Sequence, residues 1–194
     1  KFIGTDGTYN LFGAAEDMTY LPFEQLEDKI VFVGRLEKDT SIVEYLEGIK
    51  LLKEEYDIDY KVEVCGDGTL KEELKEYCNK HKLDVIFHGW VSDPEKYIKT
   101  AKYVLAGQYL STFEALAQNK YVFPLAMGGE LKVYAWETFP EYKKVFISYS
   151  VSEFTKNIFD VINKKIIPEY EKIPNWSDVA DLYLKMYDDC KGND

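Results

Sequence analysis

The chain has 194 residues, enough for one good-sized domain or two small ones. Apolar residues make up 46% and aromatics 15%, which provides for a large buried core and argues against disorder. Lys and Arg number 24 against 35 Asp and Glu, and the net charge of -11 keeps nucleic acid and anionic lipid headgroups off the bulk surface.

Three cysteines, Cys65, Cys78 and Cys190, fit neither a metal-ligand spacing nor an even disulfide set, so a reduced, cytoplasmic setting is expected. No stretch is long and apolar enough to span a bilayer, and the first residues show no secretory signal. The chain starts at Lys1 rather than at methionine, which leads us to expect a piece of a longer protein.

Lys1 to Asp28, rich in Gly, Thr and Asp, reads as a lead-in or linker without periodicity. From Lys29 strands and helices alternate. "KIVFVG" ends in glycine, as a buried parallel strand does, and Ser41-x-x-Glu44 marks a capped helix with an apolar face through Leu52. "YKVEVCG" is a second strand, and Thr69-x-x-Glu72 caps "LKEELKEYCNKH". "DVIFHG" follows, then a short helix capped by Ser92-x-x-Glu95. "AKYVLAG" and "KYVFPLA" flank a short helix carrying Glu114, and "KVFISYS" reads as a sixth strand. Helices from Ser152 to Lys165 and from Trp176 to Asp189 close the chain. This pattern predicts one α/β domain, residues 29–194: a Rossmann-like parallel sheet of about six strands with helices on both faces.

In such sheets ligands bind at the carboxyl ends of the strands, so the loops there hold the candidate residues. In "GRLEKDTS", Gly34 permits close approach, and Arg35, the only arginine, suits bidentate contact with phosphate; Lys38 adds charge, while Glu37 or Asp39 could simply pair with Arg35. In "CGDGTL", Gly66 and Gly68 permit positive φ and would expose N–H groups at a helix start. In "FHGWVSDPE", Trp90 offers a flat apolar surface or a core aromatic, and two histidines in the whole chain make a His-based metal site a poor reading. Glu114 lies three residues after Ser111, the spacing of a capping box, yet it also sits where a carboxylate could bind hydroxyls attached to a phosphate held at Gly107 and the helix start.

Taken in order, "VFVGRLEKD", "VEVCGDGTLKEELKEYC", "VIFHGWV", "YLSTFEALAQNKYVF" and "NWSDVADLYLKMY" resemble the C-terminal domain of GT-B fold retaining glycosyltransferases, the group 1 family that includes sucrose synthases and bacterial lipopolysaccharide and capsule transferases. The resemblance implies binding of a nucleoside-diphosphate sugar donor: Arg35 and Lys38 on the diphosphate, the backbone around Gly107 and from Leu110 through Ser111 to Thr112 on phosphate oxygens, Glu114 on the ribose hydroxyls, and Trp90 and Val91 beside the base. It implies transfer to an acceptor hydroxyl with retained anomeric configuration, no obligatory metal or other cofactor, and an N-terminal acceptor-binding domain as partner, which this chain is expected to lack. No catalytic residue is assigned in this half. "DIDY", Asp57 to Tyr60, has the letters of a metal motif but precedes a strand and reads as a turn. Two departures stand out. Ala106 occupies the place of the first acid in the family's Glu-x7-Glu pattern, and Lys38 follows Arg35 more closely than the family lysine does. A sugar-nucleotide 2-epimerase half, a non-catalytic nucleotide-binding domain and a flavodoxin-like module are the alternatives.

Overall fold

A computed structural model describes residues 2–3, 8–9, 14–16, 20–106, 109–127, 142–164 and 172–191. Its centre is a five-stranded parallel sheet of β3 (Glu27–Val33), β4 (Lys61–Cys65), β5 (Val85–Gly89), β6 (Ala101–Leu105) and β7 (Tyr121–Val122) in the order β5-β4-β3-β6-β7. β1 (Phe2–Ile3) and β2 (Thr8–Tyr9) form a separate antiparallel pair. β3 is central, and Ile30, Val31 and Phe32 are buried in succession because both faces of the strand are covered.

One face packs against α1 (Ile42–Tyr56), α2 (Lys71–His81) and α5 (Val151–Lys164); Ile30, Phe32, Val62, Val64 and Leu105 meet Tyr45, Leu46, Leu74, Phe154 and Ile158 there. Phe154 seats on Gly48, where an added Cβ would fall 2.3 Å from the ring, so α1 and α5 approach to glycine distance. The other face carries α3 (Glu95–Thr100) and α4 (Tyr109–Ala117), which bury Ile98, Phe113 and Leu116 against Val31, Val104 and Val122. Each of these buried side chains contributes about 1.5–3 kcal/mol by leaving water. α6 (Trp176–Lys191) differs: none of its residues is buried, and Trp176, Tyr183, Leu184 and Tyr187 are all exposed. Its start is nonetheless fixed, since Asn175 and Asp178 exchange backbone-to-side-chain hydrogen bonds and Ala15 donates its N–H to Pro174.

The sequence places the sixth strand at "KVFISYS", but there the structure has only two parallel bridges, Val122 to Val145 and Leu125 to Ser148. Pro124 interrupts β7 and leaves too few consecutive donors for a ladder. The three expected capping boxes ahead of α1, α2 and α3 are corrections as well. Ser41 stands at the cap position of α1 in a left-handed conformation (φ 58°) without a capping hydrogen bond from its side chain. α2 starts beyond Thr69, with Leu70 at its cap, and α3 starts beyond Ser92, with Pro94 at its cap. In "DIDY", Asp57 is left-handed and ends α1 at the opposite end of the sheet from the strands' carboxyl ends, which makes the segment a turn.

β3 and β4 run out side by side, and their following loops stay knitted. Gly34 donates its N–H to Cys65, Gly66 to Gly89, Leu36 to Asp67 and Leu70 to Leu36. A Cβ on Gly66 would stand 1.8 Å from the Gly34 carbonyl oxygen, and one on Gly68 2.4 Å from that of Leu36. Neither contact yields by rotating a side chain, because the obstacle is backbone. Gly66→Ala should therefore cost about 1–3 kcal/mol or more of stability, checked by urea denaturation, whereas Ala at the roomier Gly34 should cost less.

Candidate functional site

The strand order reverses between β3 and β6: from β3 the chain winds outward through β4 and β5, then returns to β6 and β7. Loops on the two sides of that point splay apart at the strands' carboxyl ends and leave a crevice. Two adjoining hollows occupy it. One, of about 260 Å³, is lined by Phe32, Val33, Gly34, Arg35, Thr40, Leu110, Ser111 and Glu114. The other, of about 290 Å³, is lined by Val33, Gly34, Arg35, Cys65, Gly66, Asp67, Trp90, Val91 and Pro94. Together they reach the ~300–1,000 Å³ of small-molecule sites.

Val33, Gly34 and Arg35 belong to both hollows, so the end of β3 forms the ridge between them. Arg35 is exposed and donates through Nη2 to Asp39 Oδ2 at 2.7 Å. The loop that holds it is braced by Thr40, whose buried hydroxyl reaches the carbonyls of Arg35 and Glu37 at 2.9 and 2.8 Å. Glu37 spans to the next loop and accepts from the Thr69 N–H at 2.9 Å and the Thr69 hydroxyl at 2.6 Å. Those hydrogen bonds, the hydroxyl's first, hold its carboxyl below the usual range.

This alters the reading of "CGDGTL". Gly66 and Gly68 do not have positive φ, and their N–H groups are engaged by Gly89 and by the Asp67 carboxylate. Ahead of α2 the anion is supplied by the chain itself, as Glu37. The glycines are required for close backbone approach, and the residue here with positive φ is Gly89, at 72°, beside Trp90.

Glu114 is a second correction. α4 begins at Tyr109, two residues before the expected cap, so Ser111 and Glu114 both lie within the helix and no acidic residue falls in its first turn. The carboxylate borders the first hollow, and among the described residues no cation or hydrogen-bond donor pairs with it. Although Glu114 as a residue is exposed, loss of water against the cleft wall raises its pKa, and the nearby charge of Glu95 adds to the effect. In the second hollow, burial pushes the Cys65 thiol up to about 11, with Glu63 adding to it, so this thiol is uncharged at neutral pH.

The structure thus brings Gly34, Arg35, Leu110, Ser111 and Glu114 to one hollow and Gly66, Trp90 and Val91 to the next. Lys38, exposed on the same loop as Arg35, lines neither; Thr112 is fully buried and lines neither; Gly107 lies outside the described residues. Thr40, Asp67 and Pro94 were missed from sequence, and only Thr40 carried a signal, a hydroxyl residue within hydrogen-bonding range of two preceding carbonyls. Among the described residues no cluster of three or more His, Cys, Asp or Glu could hold a metal ion, and no helix is long and apolar enough to cross a membrane.

The pattern of the family described as glycosyl transferases group 1 matches residues 16–134, well over half of the chain and all of the strands that frame the crevice. The chain belongs to that family. Its fold is the Rossmann-like half of a GT-B glycosyltransferase. TarM superposes with a TM-score of 0.68 at 18% identity over 90% of this chain and 38% of that one. The pneumococcal O-GlcNAc transferase GtfA, solved with UDP and GlcNAc, superposes with a TM-score of 0.61 at 15% identity over 80% of this chain and 33% of its own. The C-terminal domain of a group 1 glycosyl transferase, LpcC, from Francisella tularensis gives 0.55 at 18% identity, covering 72% of this chain and 78% of that domain. The chain therefore spans about a third of TarM and GtfA and most of the isolated C-terminal domain. No curated protein matches it by sequence.

The raised pKa of Glu114 has a definite sign for stability. Below the carboxyl's unfolded pKa the group is neutral in both states and costs nothing. As pH rises through the folded pKa, the native state must hold a poorly hydrated charge, and stability is lost. Glu114→Gln is expected to raise the melting temperature at pH 7 and to leave it unchanged at pH 3.5, measured by calorimetry at both values.

Proposed function

We propose that this chain binds the nucleoside diphosphate of a sugar donor across the β3–β6 switch point. It acts as the donor-binding half, residues 29–194 behind a lead-in of 1–28, of a retaining glycosyltransferase that moves the sugar to an acceptor hydroxyl. The observation that carries this is that Glu114, a carboxylate without a partner among the described residues, and the only arginine, Arg35, border one hollow.

Each part of a nucleoside diphosphate finds its complement. The second hollow, walled by Trp90, Val91, Pro94 and the neutral Cys65 thiol, suits a flat base. Glu114 accepts from the ribose hydroxyls, a task that a carboxylate unpaired among the described residues performs without breaking a contact there. Arg35, between the hollows, meets the diphosphate, with Lys38 nearby and the start of α4, at Leu110 beside the first hollow, turning the positive end of the helix toward it; the resemblance would add the backbone of Gly107, Ser111 and Thr112. Negative charge growing on the leaving diphosphate as the sugar departs is stabilised by the same groups. The Arg35–Asp39 pair does not stand in the way: both partners are 62% exposed, and such surface pairs contribute only ~0–1 kcal/mol, far less than a doubly charged ligand offers in return.

The acceptor and the groups that act on it belong, in this reading, to a second domain. The exposed apolar face of α6 and the partial span of the structural neighbours support that partner. Ala106, buried where the resemblance would put a sugar-binding acid, favours a non-catalytic nucleotide-binding role as the second reading. Nucleotide binding without discrimination among donor sugars in the full protein would select it.

Calorimetric titration with UDP, GDP and ADP tests the proposal. One of them should bind, Arg35→Ala and Glu114→Ala should each weaken it about tenfold or more, and Asp39→Ala, which frees Arg35, should tighten it about two- to fivefold. Absence of binding by all three, or an unchanged affinity in Glu114→Ala, overturns it.

A further inference from the structure

Tyr45 is the largest fully buried side chain among the described residues, and its hydroxyl sits at a place where three backbone groups converge. It lies 3.1 Å from the Ala106 carbonyl and 2.9 Å from that of Phe123, and it accepts the Leu125 N–H at 2.8 Å. These groups belong to the ends of β6 and β7, where the parallel ladder stops. Phe123 still donates to Val104 at 2.9 Å, and beyond that bond the two chains separate, one toward α4 and the other past Pro124. One hydroxyl hydrogen serves two carbonyls here while the oxygen accepts, so the phenol takes the place of the next rung of the sheet.

The ring stands on the first turn of α1, whose lead-in loop holds Arg35, while Ala106 opens the connection to α4, which holds Glu114. We propose that Tyr45 is a positioning residue for the donor crevice: by tying the start of α1 to the end of β6, it fixes the spacing between Arg35 and Glu114 on opposite walls. Burial raises the pKa of the phenol far beyond the neutral range, so the tie keeps its hydrogen under all ordinary conditions. The aromatic body is clamped independently, by Phe32 at 6.0 Å and Phe154 at 5.2 Å between ring centroids. Removing the oxygen therefore releases the two strand ends without emptying the core.

The inference rests on the donor-site reading for its effect on affinity, but its geometric content has a test of its own. Tyr45→Phe is compared with Ile49→Val, a core change on the same helix without polar partners. In amide hydrogen exchange, Tyr45→Phe should speed exchange at least tenfold at Leu125 and through the first turns of α4, and Ile49→Val should not; equal behaviour of the two variants in α4 overturns the inference whether or not any nucleotide binds. For the nucleotide that binds the unaltered chain, Tyr45→Phe should weaken affinity about five- to tenfold at temperatures where both variants are folded, and Ile49→Val should leave it within twofold. Adding Glu114→Ala to Tyr45→Phe should then cost clearly less than Glu114→Ala does in the unaltered chain. Full additivity would show that the hydroxyl does not act through Glu114. Absence of nucleotide binding by the unaltered chain would remove the donor-site reading and leave the exchange result to decide the geometric one.

Discussion

The crevice depends on two backbones that meet with no room for a β-carbon. Gly66 lies so close to the Gly34 carbonyl that any side chain would displace one strand end from the other. Because the loops after β3 and β4 are locked by main-chain bonds through Cys65, Asp67, Leu36 and Gly89, they form a rigid wall on one side of the switch point. Opposite them, the end of β6 is held by a side chain, Tyr45. The crevice is therefore bounded by a stiff wall made of backbone and by a wall packed through Phe113 and Leu116 and tied at its strand end by the Tyr45 hydroxyl, and the second is the one that an altered side chain is expected to move.

Electrostatics follow the same division of labour. On the proposed reading, a chain with a net charge of -11 presents positive character to an anionic ligand through the Arg35 guanidinium and the start of α4. In the unliganded protein its own carboxylates occupy the neighbouring anion positions: Asp39 on Arg35, and Glu37 on the Thr69 amide and hydroxyl ahead of α2. The two differ in what holds them. Asp39 makes an exposed ion pair that a ligand can replace, whereas Glu37 bridges two loops through two hydrogen bonds and is part of the wall. A carboxylate thus stands once on an exposed guanidinium and once as a strut between two loops.

Much of this was legible in the sequence because the signals were local. The apolar runs ending in glycine marked β3 and β4 to within a few residues, and the resemblance of five ordered segments pointed to the crevice before its shape was known. The capping boxes misled because Ser, Thr and Glu at that spacing also serve loop-to-loop contacts; Thr69 spends its hydroxyl on Glu37, which lies 32 residues away. The sixth strand failed for a different reason: β-propensity at "KVFISYS" was real, but its partner was cut short by Pro124 and offers only scattered bridges. Tyr45 could not be found at all, since a tyrosine on the apolar face of a helix reads as core, and its three backbone partners come from positions 61 to 80 residues later.

Ala106 shows how these constraints shape what the site can recognise. It closes β6 with its methyl group in the core beneath α4 and its carbonyl under the Tyr45 hydroxyl. An acid at that position would have to leave the core, and in doing so would pull the carbonyl away from the tie that sets α4. The small side chain and the buried hydroxyl are thus mutually consistent: a residue that stays inside lets the strand end be fixed from within, and the fixed end carries Glu114 to the crevice. On the donor-site reading, polar recognition then falls to the helix that follows the strand end. In the proposed reading, the wall opposite Arg35 takes up hydroxyl groups through one carboxylate, Glu114, eight residues beyond Ala106.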